Sequence, residues 1–194
     1  LGYNSADQFN EDVTVTSVGS GGIYLGYSSG TGSAALAAGK TIHVGAAGFS
    51  AGFLSLNAFT QAGNAPVNLV FTGDNTYLRF ARNSVIGGNL VASSADIYFD
   101  GCIFNGTIDA TKTGNKSNAS RGGNTFNGHC SITNNGDNYW VLGNNDPDTW
   151  NDDVVFTDGG SDRLLPCWAS AGNQFNGNIY VNTSGSATGI HFCG

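Results

Sequence analysis

The sequence contains no methionine, only three prolines and few charged residues, which make up 11% of its 194 positions. Glu, Lys, Gln and Met, the residues that stabilise helices, are all scarce. Their scarcity argues against a helical protein. No run of apolar residues approaches the length of about 18 that a membrane-spanning helix requires, so we expect no insertion into a membrane.

The residues that are present favour strands. Apolar residues make up 40% of the chain and include many Val, Ile, Leu, Phe and Tyr, a composition that excludes disorder and favours an all-β fold. Seven Lys and Arg stand against fourteen Asp and Glu, a net charge of −7. This charge argues against nucleic acid or an anionic membrane as the main partner. It is compatible with Ca²⁺.

Residues 124–194 contain one pattern three times, in NTFNGHCSITNNG, DTWNDDVVFTDGGS and NQFNGNIYVNTSG. Each copy begins with Asn or Asp, a polar residue, an aromatic residue and Asn. A short alternating strand, a turn rich in Gly, Asn, Asp and Ser, and a second strand follow. The aromatic residue recurs at a nearly constant interval, as Phe104, Phe126, Trp150 and Phe175. A period of this length is typical of a solenoid.

One copy of this pattern cannot bury its own apolar face, so it must stack on another copy. A unit of roughly 22–25 residues made of strands and turns has the size of one rung of a parallel β-helix, in which equivalent residues lie about 4.8 Å apart. We therefore predict an all-β, right-handed parallel β-helix of about eight rungs. The predicted hand is that of the usual crossover between parallel strands. A β-sandwich with coincidental turn spacing is the alternative.

The predicted rungs place two sets of residues in columns. The aromatic residues would stack inside the helix, and the asparagines after them would form a second column at the adjoining bend. Asn tolerates the left-handed backbone conformation of such bends, and stacked Asn side chains can hydrogen-bond along a column. The predicted core stack comprises Phe9, Phe104, Phe126, Trp150 and Phe175, and the predicted Asn column comprises Asn10, Asn105, Asn127, Asn151 and Asn176.

A longer repeat contains the shorter one. Residues 5–27 match residues 170–194, so that Phe9 aligns with Phe175. The pattern is interrupted at both ends, and neither an initiator methionine nor a signal peptide is present. We therefore expect residues 1–194 to be a single β-helix segment, about one super-repeat of a longer tandem-repeat protein. Its immediate partners would be neighbouring repeats of the same chain.

The four cysteines do not have the close spacing of a zinc site. Aligned strands place Cys167 and Cys193 at the same position of consecutive rungs, which would bring them within reach of a disulfide if the side chains face each other. Cys130 falls in an inward apolar column, where we expect a buried thiol. Cys102 has no evident partner in the sequence.

No group of residues in the sequence indicates catalysis. The three histidines are isolated, and the carboxylates recur in turns, where Asp bonds to its own backbone. We therefore expect no enzyme, with no catalytic, cofactor-binding or metal-binding residue, although Ca²⁺ or acid–base chemistry would use these carboxylates if either were present. These carboxylates are Asp146, Asp148, Asp152, Asp153, Asp158 and Asp162.

Residues 109–121 are the most polar stretch of the chain, and we predict a wide turn or loop there.

Two other functions are compatible with a β-helix. A carbohydrate-binding or polysaccharide-cleaving protein would have exposed aromatic residues along one groove, and an ice-binding solenoid would have a flat, regular array of threonines. Tyr180 and Asp109 would interrupt such an array. The candidates for the groove are Tyr3, Tyr27, Trp168 and Tyr180, and those for the array are Thr14, Thr16, Thr133 and Thr157.

Several segments of the sequence resemble a known repeat: NTFNGHCSITNNG, LGNNDPDTWNDDVVFTDGGS, NQFNGNIYVNTSGSATGI and AALAAGKTIHVGAAGFSAGFLSLNAFTQ. They are similar to the tandem repeats of giant secreted surface adhesins of gliding Bacteroidota. The resemblance covers nearly the whole chain, although Trp150 and Asp152 stand where the repeat normally has Phe and Gly. It implies type IX secretion and an extracellular filament at the cell surface, used in adhesion and gliding. Contact with an external surface or glycan would then be made through another region.

Overall fold

In the computed structural model, residues 4–27, 31–184 and 189–192 are described, and they form 24 strands and no helix. With one exception, each strand pairs in parallel with the strand three places later in the chain. The chain therefore returns to the same side after every third strand. This arrangement is a parallel β-helix with three faces and eight rungs, and the fold class predicted from the sequence is confirmed.

Each face of the helix contains one strand from every rung. Face one consists of β1 (Ala6–Phe9), β4 (Ser33–Leu36), β7 (Phe59–Gln61), β10 (Val85–Ile86), β13 (Ile103–Phe104), β16 (Thr125–Phe126), β19 (Thr149–Trp150) and β22 (Gln174–Phe175). Face two consists of β2 (Val13–Ser17), β5 (Ile42–Phe49), β8 (Val67–Val70), β11 (Leu90–Ser94), β14 (Ile108–Lys112), β17 (Cys130–Asn134), β20 (Val154–Asp158) and β23 (Ile179–Thr183). Face three consists of β3 (Gly22–Leu25), β6 (Gly52–Asn57), β9 (Thr76–Ala81), β12 (Asp96–Asp100), β15 (Asn118–Ala119), β18 (Trp140–Val141), β21 (Arg163–Leu165) and β24 (Gly189–Ile190).

Face three is divided into two sheets of four strands, between β12 and β15. Side chains join the two sheets at this point, together with the backbone N–H of Gly122, which donates to the Phe99 oxygen at 3.3 Å. The Asn118 Nδ2 donates to the Ile97 oxygen at 2.9 Å, and the Phe99 N–H donates to the Ser120 Oγ at 3.1 Å. Faces one and two run without a break through all eight rungs. The stack is therefore continuous, and face three contains its main irregularity.

Within the described part of the chain, no helix is long and apolar enough to cross a membrane.

The predicted core stack lies in a single column of face one. Phe104 stacks on Phe126 at 5.3 Å, Phe126 on Trp150 at 4.0 Å and Trp150 on Phe175 at 6.1 Å between ring centroids. Phe9 occupies the same column, but other side chains separate it from Phe104. In register, the column reads Phe9, Leu36, Gln61, Ile86, Phe104, Phe126, Trp150 and Phe175.

The residue numbers in this column show that the rungs differ in length. The step from Phe9 to Leu36 is the longest, and that from Ile86 to Phe104 is the shortest. The short step belongs to the fourth rung, in which Ala95 alone separates β11 from β12. The other rungs use longer turns between these two faces.

The glycine that follows the Asn column permits close contact between rungs. A Cβ on Gly106 would lie 2.5 Å from the backbone of Gly88, and one on Gly128 would lie 2.6 Å from the Gly106 oxygen. Real Cβ atoms do not approach so closely, and neither glycine has a positive φ. Glycine is needed here because the backbones touch, not because the chain turns left-handed.

The prediction of a loop over residues 109–121 is correct only in its middle part, because strands β14 and β15 lie on either side of the turn. Residues 108–112 form strand β14, in which Ile108, Ala110 and Lys112 point inward and Asp109 points outward. Alternation thus continues through the polar stretch, and Lys112 is fully buried. Only residues 113–117 form the turn.

We predict that Trp150→Ala destabilises the fold by roughly 3–5 kcal/mol, because it removes a large side chain from the buried column. Trp168→Ala is the matched control, since Trp168 is 38% exposed. Urea unfolding of both variants and of the wild type measures the difference. Equal stability of Trp150→Ala and the wild type would contradict the role of the aromatic column.

Candidate functional site

Face three has a strip of aromatic side chains on its outer side. We call Tyr24, Phe53, Tyr77 and Tyr98 the aromatic strip; they come from four consecutive rungs. Their neighbours in each strand, such as Leu54 and Ile97, point into the core and are fully buried. The strip side chains themselves are half-buried. The alternation of each strand therefore places one aromatic ring outside in each of the first four rungs.

The rings of the strip are ordered by contact with one another. Phe53 and Tyr77 stack face to face, with centroids 4.4 Å apart and planes 7° apart. Tyr24 meets Phe53 at 82°, and Tyr98 meets Tyr77 at 86°. Gly22 makes room for the Phe53 ring, because a Cβ there would lie 1.9 Å from it. The two outer tyrosines thus stand perpendicular to the central pair.

Charged residues next to Tyr77 and Tyr98 form, with these two rings, a groove of about 630 Å³. The Arg79 Nε donates to the Asp100 Oδ2 at 2.8 Å, and the Arg121 Nε donates to the Asp146 Oδ2 at 2.6 Å. The Asp100 Oδ1 also accepts the backbone N–H of Arg121 at 2.7 Å. The groove is lined by Tyr77, Arg79, Tyr98, Asp100, Ala119, Arg121 and Asn145.

The ion pairs leave much of the groove's hydrogen-bonding capacity available. Within the described ranges, the Nη nitrogens of Arg79 and Arg121 donate to no protein atom, and the hydroxyls of Tyr77 and Tyr98 have no protein partner. Burial raises the pKa of Tyr77 and Tyr98, so both remain protonated near neutral pH. The groove therefore offers fixed donors beside two aromatic rings.

A second hollow of about 370 Å³ continues down face three, with Tyr139 and Trp168 in its lining. Of the aromatic residues predicted for a groove, Trp168 lies here, and Tyr27 lies 5.9 Å from Tyr24 at the upper end of the strip. Tyr180 lies on face two, away from the groove. Tyr3 lies outside the described residues.

The predicted Asn column forms a hydrogen-bonded ladder at the corner after face one. The Asn127 Nδ2 donates to the Asn105 Oδ1, that of Asn151 to Asn127, and that of Asn176 to Asn151, each at 2.8 Å. The backbone reason given from the sequence is wrong, because none of these residues has a positive φ. Asn10 occupies the same corner position in the first rung, where the next rung has Ala37 instead of Asn.

The first residue of each repeat forms a second ladder, which is buried at Asn124 and Asp148 and was not predicted from the sequence. The Asn124 Oδ1 accepts the N–H of Cys102 at 2.9 Å, the Asp148 Oδ1 accepts that of Asn124 at 2.8 Å, and the Asn173 Oδ1 accepts that of Asp148 at 2.8 Å. Ser84 has the equivalent position at the start of the fourth rung, and its Oγ accepts the N–H of Phe59 in the third rung at 3.0 Å. These side chains bind each rung to the one before it.

Asp148 is the one charged residue in this ladder. Burial raises its pKa to about 7, although the hydrogen bonds from Asn124 act in the opposite direction. Its Oδ2 is buried and has no hydrogen-bond partner. An amide at this position, as in Asn124 and Asn173, would not titrate and would avoid the first of these costs.

The other predicted carboxylates have structural partners. Asp146 pairs with Arg121, and the Asp153 Oδ1 accepts from the backbone and side chain of Asn178 at 2.8 and 3.0 Å. Asp152 accepts the N–H of Asp153, and Asp162 pairs with Arg163 at 3.1 Å. Among the described residues, no three His, Cys, Asp or Glu side chains are grouped to hold a metal ion.

Cys102 and Cys130 are buried thiols, and burial raises the pKa of each to about 12. Cys130 lies in the apolar column expected from the sequence, between Ile108 and Val154. Cys167 is also buried. Its predicted partner, Cys193, lies outside the described residues, so the disulfide stays a prediction.

Comparison of the chain with protein-family models, curated proteins and solved structures yields no match.

We predict that Asp148→Asn removes a pH dependence of stability. Because the pKa of Asp148 is raised in the folded state, the folded protein binds this proton more tightly than the unfolded chain does. Its contribution is fully present below about pH 4 and is lost as the pH rises through 7, by at most about 1.4 kcal/mol per pH unit.

Urea unfolding at several pH values measures this contribution as the difference between wild type and variant. The variant should gain stability relative to the wild type from pH 4 to 7. Asp109→Asn, on the outer side of face two, is the control. If wild type and Asp148→Asn follow parallel curves, the assigned titration is wrong.

Proposed function

We propose that the chain is a structural and adhesive repeat of a long extracellular filament at a cell surface, used in attachment and gliding. Faces one and two run unbroken through eight rungs, and this continuity is the observation that supports the proposal. In such a stack, stability is a sum over neighbouring rungs. Its backbone ladders and side-chain columns resist bending and stretching, so the domain suits a mechanical role, and we assign it no catalytic residue.

The repeat within the chain supports a filament. Phe9 and Phe175 occupy the same column in the first and eighth rungs, seven steps apart. Seven steps of about 4.8 Å give a rise of roughly 34 Å per super-repeat. A further super-repeat stacked in register would present the same columns again, and a rod of any length could be built in this way.

Electron microscopy of the intact source protein tests the filament. We expect a thin fibre with a layer repeat near 4.8 Å. A compact particle would contradict the proposal. The flanking sequence is an independent check, because we expect tandem copies on either side, at the interval that separates Phe9 from Phe175.

Carbohydrate binding is the second candidate function, and the groove on face three favours it. Tyr77 and Tyr98 offer apolar ring surface, and Arg79, Arg121 and Asn145 offer polar groups beside it. Concave sites of this kind, with aromatic walls and a few fixed polar groups, are typical of small-molecule binding. The rungs repeat at about 4.8 Å, a spacing comparable with the length of one sugar ring, so a glycan could follow the helix axis.

The charges in the groove favour a neutral glycan. Each arginine is paired with a carboxylate within 2.8 Å, and the chain has a net charge of −7. A polyanion would be repelled by this excess, whereas sugar hydroxyls can use both the donors and the acceptors. Because Asp100 and Asp146 are engaged in ion pairs, the groove suits binding better than cleavage.

We predict that Tyr98→Ala weakens binding of a neutral polysaccharide about tenfold or more, which corresponds to about 1.4 kcal/mol. Tyr180→Ala is the matched control, because Tyr180 is 50% exposed on face two. Affinity electrophoresis in neutral and in uronate-containing polysaccharides measures the effect. Equal retardation of the two variants, or retention by the acidic polymers alone, would contradict this candidate.

Ice binding receives less support. Thr111, Thr133 and Thr157 form one outward column on face two, but the neighbouring column reads Asp109, Ser131, Val155 and Tyr180. A single column does not make the regular array of threonines expected of an ice-binding surface.

A further inference from the structure

Three polar side chains lie one above another inside face two. Lys112, Asn134 and Asp158 end strands β14, β17 and β20 and are direct neighbours in the parallel register. All three are 0% exposed. A buried amine beside a buried amide and a buried carboxyl is costly unless the groups do something for each other.

The amine and the amide share one hydrogen-bond acceptor. The Lys112 Nζ donates to the Asn138 oxygen at 3.2 Å and to the Gly114 oxygen at 2.6 Å. The Asn134 Nδ2 also donates to the Asn138 oxygen at 3.2 Å. Both nitrogens therefore lie within 3.2 Å of the same oxygen, which places the amine next to the amide of the following rung.

The Asn134 amide contacts two further groups that a nucleophilic attack on its carbon would require, an N–H at its oxygen and a carboxyl at its nitrogen. The Asn134 Oδ1 accepts the backbone N–H of Gly136 at 3.3 Å, and the Asn134 Nδ2 lies 3.4 Å from the Asp158 Oδ1. The first contact is placed to stabilise negative charge on the carbonyl oxygen. The second places a carboxyl beside the nitrogen that would leave.

The buried environment favours the reactive protonation states. Burial lowers the pKa of Lys112, against the opposing charges of Asp96, Asp137 and Asp162. Burial raises the pKa of Asp158, against hydrogen bonds that include that of Asn134. Lys112 has no carboxylate within ion-pair distance in the described part of the chain. Burial thus shifts both groups towards their neutral forms, which are the forms that the reaction below uses.

We propose that Lys112 and Asn134 join in an intramolecular isopeptide bond between the fifth and sixth rungs. The neutral Nζ of Lys112 attacks the Cγ of Asn134, and the Gly136 N–H stabilises the oxyanion at Oδ1. The Nζ–Cγ bond forms and the Cγ–Nδ2 bond breaks. Once Nζ is bonded to Cγ, it lies on the same carbon as Nδ2. Asp158, which lies beside Nδ2, then gives a proton to the leaving Nδ2 and takes one from Nζ, so that one ammonia is released. No oxidant or further reactant is consumed.

The product fits the same surroundings. The new amide N–H takes the place of Nδ2 and can donate to the Asn138 oxygen, and the carbonyl keeps the Gly136 N–H. The reaction also removes an ionisable amine from the interior, which relieves the cost of burying it. The bond would link strands β14 and β17 covalently at the corner where the turns 113–117 and 135–139 leave face two.

Intact mass spectrometry of the folded, full-length chain tests the bond. The mass should be lower than the sequence mass by one ammonia, and digestion should yield a branched peptide that contains both Lys112 and Asn134. Lys112→Arg and Asp158→Asn should each have their full sequence mass. Lys116→Arg, in the exposed turn of the same rung, should still lose ammonia.

Two results would overturn the proposal. One is the full sequence mass in wild-type protein whose circular dichroism shows it to be folded. The other is loss of ammonia within a single linear peptide, as in succinimide formation at an Asn-Gly step such as Asn135-Gly136. Both results come from the wild type, so they do not depend on whether the variants fold.

Discussion

The in-register pairing of parallel strands is the constraint on which the rest of this structure depends. It places equivalent residues of successive rungs about 4.8 Å apart, so a side chain must be compatible with its neighbours above and below. Phe126 on Trp150 and Asn127 on Asn105 meet this requirement in different ways, by ring stacking and by amide hydrogen bonds. This requirement explains why the sequence has a short repeat.

This constraint also explains what could be predicted. The β-helix and the aromatic column between residues 104 and 175 were accessible from the sequence, because self-compatible residues recur at a visible period. The Asn ladder was placed at the right corner for a partly wrong reason. Its residues have ordinary backbone angles, and their amide hydrogen bonds to one another are what suits Asn to this corner. The glycine beside it follows from close backbone contact.

What could not be predicted depends on which way a side chain points. Tyr24, Phe53, Tyr77 and Tyr98 recur at uneven intervals, and each stands next to an apolar residue that could equally have been the outward one. The signal was an aromatic residue followed directly by Leu or Phe in the same strand. The burial of Lys112 was not predicted because its neighbours in the sequence are polar and suggest a loop. The segment is nevertheless a strand, and Lys112 is the third of its inward residues.

A regular scaffold makes its exceptions informative. Most interior positions of this helix repeat an apolar or amide side chain from rung to rung, so a charged residue there has no requirement of the stack to explain it. Asp148 still performs the ladder's hydrogen bonding, since its Oδ1 accepts the Asn124 N–H as an amide oxygen would. Lys112 also bonds to the backbone two residues later, as Asn134 does, but its Nζ donates to the Gly114 oxygen, whereas the Asn134 Oδ1 accepts the Gly136 N–H. Its neighbours in the column, Ser94 and Asn134, are neutral, so a buried amine beside the Asn134 amide calls for a local chemical reason.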